Sequence, residues 1–323
     1  MYNYESTANL VMKIYTLTLS PAYDLHASAE SIELGKENLI RRVSREVGGK
    51  GINISRALLA YGIGSVATVL VGENSEELEE ELSRLGIATE YVRCGGRIRE
   101  NLTIHTPNGE TRLSYPPEKV NPDVLAKIRE RLHPNVGDIV TLSGRVPDGI
   151  DIPSLVDYMA SLRECGVRTV IDSRSFKLED ILKMKPWLIK PNREEIMQYS
   201  EKEALLQSEI PKIAKTLSQN GVENVVITLD SDGAILASKG KITRVDAPKI
   251  EPLSTIGAGD SAIAGFIAAA AQKKRASEAL IYAVAFGTAA CLADGTEPPK
   301  EEVVNKFIMQ IKEKENGKEK EEC

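Results

Sequence analysis

Histidine is the scarcest ionisable residue in this chain. Its 323 residues hold three, His26, His105 and His133, far apart and in no H-x-x-E-H or Cys/His pairing. That scarcity makes histidine-based zinc sites and serine hydrolase triads poor expectations. The four cysteines, Cys94, Cys165, Cys291 and Cys323, form no C-x-x-C pair and no dense framework, which fits a reducing cytoplasm better than a disulfide scaffold. No apolar run approaches the roughly 20 residues that cross a bilayer, the longest lying near Ala262 to Ala271. Positive charge is not in excess either: Lys+Arg 41 against Asp+Glu 47 leaves a net −6, so the chain as a whole attracts neither nucleic acid nor an anionic membrane. The first dozen residues also lack the basic flank and apolar core of a signal peptide, and a cytoplasmic protein is expected. What is left for chemistry is carboxylates, backbone amides or a borrowed metal ion.

A chain of this length accommodates two modest domains or one large α/β domain with an appendage, and buries enough surface to need no covalent staple. Residues 1–11 read as an extension ahead of Met12 and the β-like run Lys13 to Leu19, and residues 311–323 as a Lys/Glu-rich, frayed helical tail with no apolar face to dock it. Between them, over 12–310, β-branched runs alternate with helical periods. Ser65 to Val71 precedes a helix carrying Leu78, Leu82 and Leu85, and Asp138 to Leu142 precedes a helix beginning near Pro153. Val167 to Asp172 and Val222 to Leu229 read as further strands. Strands separated by helices pair in parallel, so the expected fold is a doubly wound, mostly parallel α/β sheet flanked by helices. Two polar, strand-like stretches without helices, 22–47 and 89–115, are expected to form a small antiparallel sheet that acts as a lid over the carboxyl ends of the parallel strands.

The segment Ser254 to Ser261 runs through Gly257, Ala258, Gly259 and Asp260 into a strongly apolar helix. Two glycines leave the first helical amides bare and let a phosphate approach, while the helix dipole favours negative charge there. Asp260 is placed to take a proton from an attacking hydroxyl beside that anion hole. The plainer alternative is a first-turn acid that caps the helix.

Gly257-Ala258-Gly259-Asp260 resembles the signature of the ribokinase-like sugar kinases, the phosphofructokinase B family. Three further segments agree in the family's order: Gly48-Gly49-Lys50-Gly51-Ile52-Asn53, Ser143-Gly144-Arg145-Val146-Pro147 and Lys190-Pro191-Asn192-Arg193-Glu194-Glu195. The resemblance implies that Asp260 is the catalytic base and that Gly257, Ala258 and Gly259 form the anion hole. It implies that Asp24, Gly48, Gly49, Lys50, Asn53, Arg99 and Ser143 bind the sugar, with Lys50 and Arg99 serving a phosphate already on it. Lys190, Asn192, Thr228, Gly233, Gly257, Gly259 and Gly287 would flank ATP. Glu195, with Asn192, would order the water shell of Mg²⁺, although Asn192 and Glu195 are also spaced as an ordinary capping box.

Within the family, the segments around Thr16 to Ala22, Gly48 to Asn53 and Arg99 look most like the 1-phosphofructokinase and tagatose-6-phosphate kinase branch. The expected reaction is therefore ATP-dependent phosphorylation of fructose 1-phosphate. Tagatose 6-phosphate and fructose 6-phosphate stand as alternatives, followed by an unphosphorylated sugar or nucleoside and by a non-catalytic sugar-phosphate sensor. The open edges of a lid sheet suggest a homodimer. Departures from the family pattern include Ser20, Glu100, Arg145, Asp148 and Asp230. Asp230 is a carboxylate that would repel a triphosphate unless it faces solvent or metal.

Overall fold

A computed structural model describes residues 12–200 and 207–321. The expected extension, 1–11, lies outside the described residues. The chain opens with β1 (Ile14–Thr18), then β2 (Ala22–Ser28), β3 (Arg41–Gly48), α1 (Lys50–Ala60), β4 (Val66–Val71), α2 (Glu76–Arg84) and β5 (Ala88–Arg93). A hairpin follows, β6 (Arg99–Thr106) and β7 (Gly109–Ser114), turning at Pro107-Asn108. Next come α3 (Val124–Arg131), β8 (Ile139–Ser143), α4 (Ile152–Glu164), β9 (Arg168–Asp172), α5 (Leu178–Met184) and β10 (Leu188–Ile189). The last third holds α6 (Ile210–Gln219), β11 (Asn224–Thr228), β12 (Ala234–Ser238), β13 (Lys241–Val245), α7 (Ala258–Ala271), α8 (Ala276–Ala290) and α9 (Glu301–Glu321).

Nine strands form one sheet in the order β13-β12-β11-β10-β9-β8-β1-β4-β5, parallel from β11 through β5 and antiparallel at β12 and β13. Every residue of β1 and β8 is buried, as central strands covered on both faces must be. The buried hydroxyl of Thr16 is satisfied by Ser55 at 2.7 Å. On one face α7 and α8 pack so closely that a Cβ on Gly265 would sit 2.5 Å from the Tyr282 carbonyl oxygen, which is why only glycine serves there. From β1 the chain builds outward to β4 and β5; it then returns to β8 and builds the other way. The switch point between β1 and β8 leaves a crevice at their carboxyl ends, the usual ligand site of an open α/β sheet.

A second sheet, β3-β2-β6-β7, consists of two antiparallel pairs joined through a parallel contact between β2 and β6. Two expected boundaries move. The stretch 89–93 belongs to β5 in the main sheet, paired in parallel with β4, and not to the small sheet, which resumes at Arg99. As an edge strand β5 keeps polar residues, Thr89, Glu90 and Arg93, that made it read as a lid strand. The expected tail from 311 is helical through Glu321, and its first residue, Ile311, is 3% exposed with Val304, Phe307 and Ile308 in the core. No helix among the described residues is long and apolar enough to cross a membrane.

Candidate active site

Asp260 is the third residue of α7, whose N-cap is Gly257 at φ 76, a left-handed conformation that glycine adopts without strain. No side chain among the described residues caps this helix start, so Asp260 is not the capping acid. It is instead 6% exposed, and its Oδ2 accepts a hydrogen bond from Asn53 Nδ2 at 2.9 Å. Burial pushes its pKa up to about 6; Lys50, the Asn53 hydrogen bond and Lys190 pull the other way, and the charge of Asp172 adds to the rise. A carboxyl group tuned so is ionised at neutral pH yet more basic than an ordinary aspartate, which suits a general base.

Asp172, the last residue of β9, has no local signal in the sequence, yet it ends the strand next to β8, beside the crevice. Lys50 Nζ donates to its Oδ2 at 2.7 Å, and Lys190 Nζ lies 3.5 Å from its Oδ1. Burial would raise the pKa of Asp172, but Lys190 and Lys50 outweigh it and hold the carboxylate below its usual range. Burial likewise pulls Lys50 down, and Asp172 and Asp260 more than offset that, keeping it above the usual ammonium range. Thr18, Ser143 and Asp172 end three adjacent strands in register, which sets Ser143 beside the carboxylate. A Cβ on Gly259 would come 3.1 Å from Lys190 Nζ, so the glycine lets the ammonium lie against the start of α7.

On the small-sheet side, Asp24 Oδ1 accepts from Asn101 Nδ2 at 2.7 Å and from Arg112 Nη2 at 3.0 Å. Asn101 and Arg112 were also missed; their signal is alternation, because cross-strand register puts Asp24 opposite Asn101 and carries Arg112 to the same face one pair further along. A Cβ on Gly48 would sit 2.1 Å from Asp24 Oδ2, and Gly49 has φ 135, so both glycines are demanded by backbone and space. Arg99 donates Nη1 to the Tyr115 carbonyl at 2.8 Å, while its buried Nε has no partner among the described residues. Burial lowers its pKa, Asp24 raises it, and Arg145 and Arg112 lower it further, so Arg99 lies in the field of one carboxylate and two other guanidinium groups. Arg99, Arg97 and Ser20, whose buried hydroxyl likewise has no partner among the described residues, line one cleft.

Beyond Asp172, three of the residues expected around a nucleotide, Lys190, Asn192 and Thr228, lie at the ends of β10 and β11. Asn192 bridges to Thr228, and Asn192 and Glu195 form a reciprocal capping box, with Glu195 N donating to Asn192 Oδ1 at 2.7 Å and Asn192 N to Glu195 Oε2 at 3.1 Å. Glu195 Oε1 also accepts from Arg174 Nε at 2.8 Å. Asp172, Lys190 and Glu195 line a common cleft. No cluster of three metal-ligating side chains exists among the described residues. The oxygen donors at this cleft, Glu195 and Asn192, are of the kind that a hydrated Mg²⁺ takes through water. Asp230 is exposed and lies 3.7 Å from Arg193, so its charge faces solvent. Gly233 answers a packing need: at φ 91, a Cβ would stand 2.0 Å from the Val245 carbonyl oxygen. Gly287 packs behind the start of α7, its Cβ position 3.3 Å from the Ala258 carbonyl oxygen.

Residues 14–303 match the model of the pfkB family carbohydrate kinases. The 1-phosphofructokinase of Vibrio cholerae is 28% identical over 307 residues, spanning 94% of this chain and 96% of that protein. The 1-phosphofructokinase of Escherichia coli strain K12 is 31% identical over 259 residues, 79% of this chain and 83% of that one. Among solved structures, phosphofructokinase-2 from Escherichia coli in complex with fructose-6-phosphate superposes with a TM-score of 0.86 at 25% identity, covering 93% of this chain and 99% of that one. That enzyme also has a tetrameric inhibited form.

Proposed function

Because the chain belongs to the pfkB family of carbohydrate kinases and is a sugar phosphotransferase, we propose that it moves the γ-phosphate of ATP to fructose 1-phosphate, giving fructose 1,6-bisphosphate. The observation that carries this reading is the placement of Asp260, buried, held by Asn53 and raised toward neutrality at an uncapped helix start. Asp260 takes the proton of the primary hydroxyl as that oxygen attacks in line. The amides of Gly257, Ala258 and Gly259 face the charge that develops on the transferring group, where one preorganised donor is worth on the order of 10²- to 10³-fold in rate. Lys190 adds positive charge at the same helix start. Glu195 and Asn192 would hold Mg²⁺ through water, and its charge would offset that of the phosphates. A second reading, fructose 6-phosphate as acceptor, is favoured by the likeness to phosphofructokinase-2.

The acceptor's own phosphate is assigned to Arg99. Lys50, paired with Asp172, has its charge already met, whereas Arg99 has an unused buried donor and no carboxylate of its own. Charge-assisted hydrogen bonds contribute about 1.5–3 kcal/mol, so Arg99→Met should raise KM for the phosphorylated acceptor by roughly 10- to 150-fold and leave KM for ATP nearly unchanged. Steady-state assays with fructose 1-phosphate, fructose 6-phosphate, tagatose 6-phosphate and fructose, with the product identified by mass and NMR, test both statements. Turnover of free fructose alone, indifferent to Arg99, would remove the phosphosugar assignment.

The small sheet and its adjoining loop expose Leu34, Leu39, Ile40, Leu113 and Tyr115. We assign this apolar surface to a homodimer. Light scattering should give twice the chain mass, and Leu113→Lys should shift it toward the monomer.

A further inference from the structure

On the face of the small sheet that carries Asp24, the turn between α8 and α9 touches strand β3. Thr296 Oγ1 donates to Glu46 Oε2 at 2.6 Å and accepts from Arg56 Nη1 at 3.4 Å, so one buried hydroxyl uses its single proton and a lone pair on two different elements. The Thr296 amide adds a longer contact to the same carboxylate at 3.4 Å. The preceding residue, Gly295, has φ 54, and a Cβ there would lie 3.1 Å from Glu46 Oε1 and 3.3 Å from His26 Nε2. The turn thus lies close against the side chains of the sheet, and at this positive φ a residue other than glycine would be strained.

Both partners of Thr296 lead to the reacting groups. Glu46 is the cross-strand neighbour of Asp24 and stands two residues before Gly48. Arg56 lies three residues after Asn53 on α1, hence on the same side of that helix, and Asn53 holds Asp260. A single hydroxyl therefore joins the strand that positions the sugar-binding carboxylate to the helix that positions the base. We propose that Glu46 and Thr296 form a latch that holds the small sheet down over the crevice, which makes them positioning residues for phosphoryl transfer. The inference rests on the reading of that sheet as a cover for the acceptor. With the latch intact the acceptor hydroxyl is oriented and water is kept from the phosphate; without it the sheet rides more loosely and water competes.

Thr296→Val keeps the shape and removes the hydroxyl. Relative to wild type, the expected result is a KM for the acceptor about tenfold higher, little change in KM for ATP, and a larger share of ADP formed without sugar bisphosphate. Thr296→Ser should restore all three. In the free protein, amide exchange of β2 and β3 should speed up in Thr296→Val while β8 and β9 stay as protected as before. Unaltered coupling together with unaltered exchange in β2 and β3 would overturn the latch, as would exchange accelerated equally throughout the chain. Should wild type phosphorylate none of the sugar phosphates, the substrate reading fails on its own, and the exchange comparison still decides the latch.

Discussion

Asp260→Asn is expected to lower kcat by about 10²- to 10⁴-fold, the range a positioned general base contributes, with the KM values for acceptor and ATP changed far less. The amide has the size of the carboxylate and can still accept from Asn53, which donates to Oδ2 in the parent protein. The loss therefore reports the base and not the fold. The same carboxyl group fixes the pH dependence. Its pKa is raised to about 6, and only the ionised form accepts a proton, so kcat/KM should fall about tenfold per pH unit below 6 and level off above it. Phosphate groups of the substrates also ionise near there. Lys50→Met separates the two: Lys50 lowers the pKa of Asp260, so its removal should move the acid limb upward, whereas ionisation of a free substrate does not move. An Asn variant within tenfold of wild type would remove Asp260 as the base.

The residues legible from sequence are those whose roles are local. Gly257 to Asp260 share one helix start, and Gly48 and Gly49 one strand-to-helix turn, so a few consecutive residues mark each candidate segment. Asp172 escaped because an aspartate at the end of an apolar strand is commonplace; what gives it meaning is Lys50, 122 positions away, a pairing that exists only once the sheet order is set. Thr296 and Glu46, 250 positions apart, are hidden for the same reason. The alternation of strands and helices exposed the main sheet, but β5 was misplaced because an edge strand has the polarity of a lid strand. At Asn192 and Glu195 the capping box and the metal-site reading share the same two residues; the structure forms the box, and its carboxylate still lines the cleft beside Asp172.

Asp172→Asn is the substitution expected to cost the most stability. It would leave the ammonium groups of Lys50 and Lys190 without the carboxylate they share, with Asp260 the nearby negative charge that remains, where Asp172 and Lys190 side chains are 3% and 6% exposed. Removing one partner of a buried pair costs about 3–5 kcal/mol. Lys50 is 38% exposed, so solvent screens part of its charge and the lower end applies, about 3 kcal/mol. At roughly 2–4 °C per kcal/mol for a large domain, Tm should fall by roughly 6–12 °C. Because the folded pKa of Asp172 is depressed, its contribution is fully present above the ordinary carboxylate range and is lost as pH falls through the lower folded value. The gap between wild type and variant should therefore be constant near neutrality and narrow only in acid. Adding Lys190→Met should recover much of the loss, since the excess positive charge then disappears, and a double-mutant cycle measures that coupling. A variant that melts with wild type at pH 7 would mean that Asp172 is not the countercharge on which the two lysines depend.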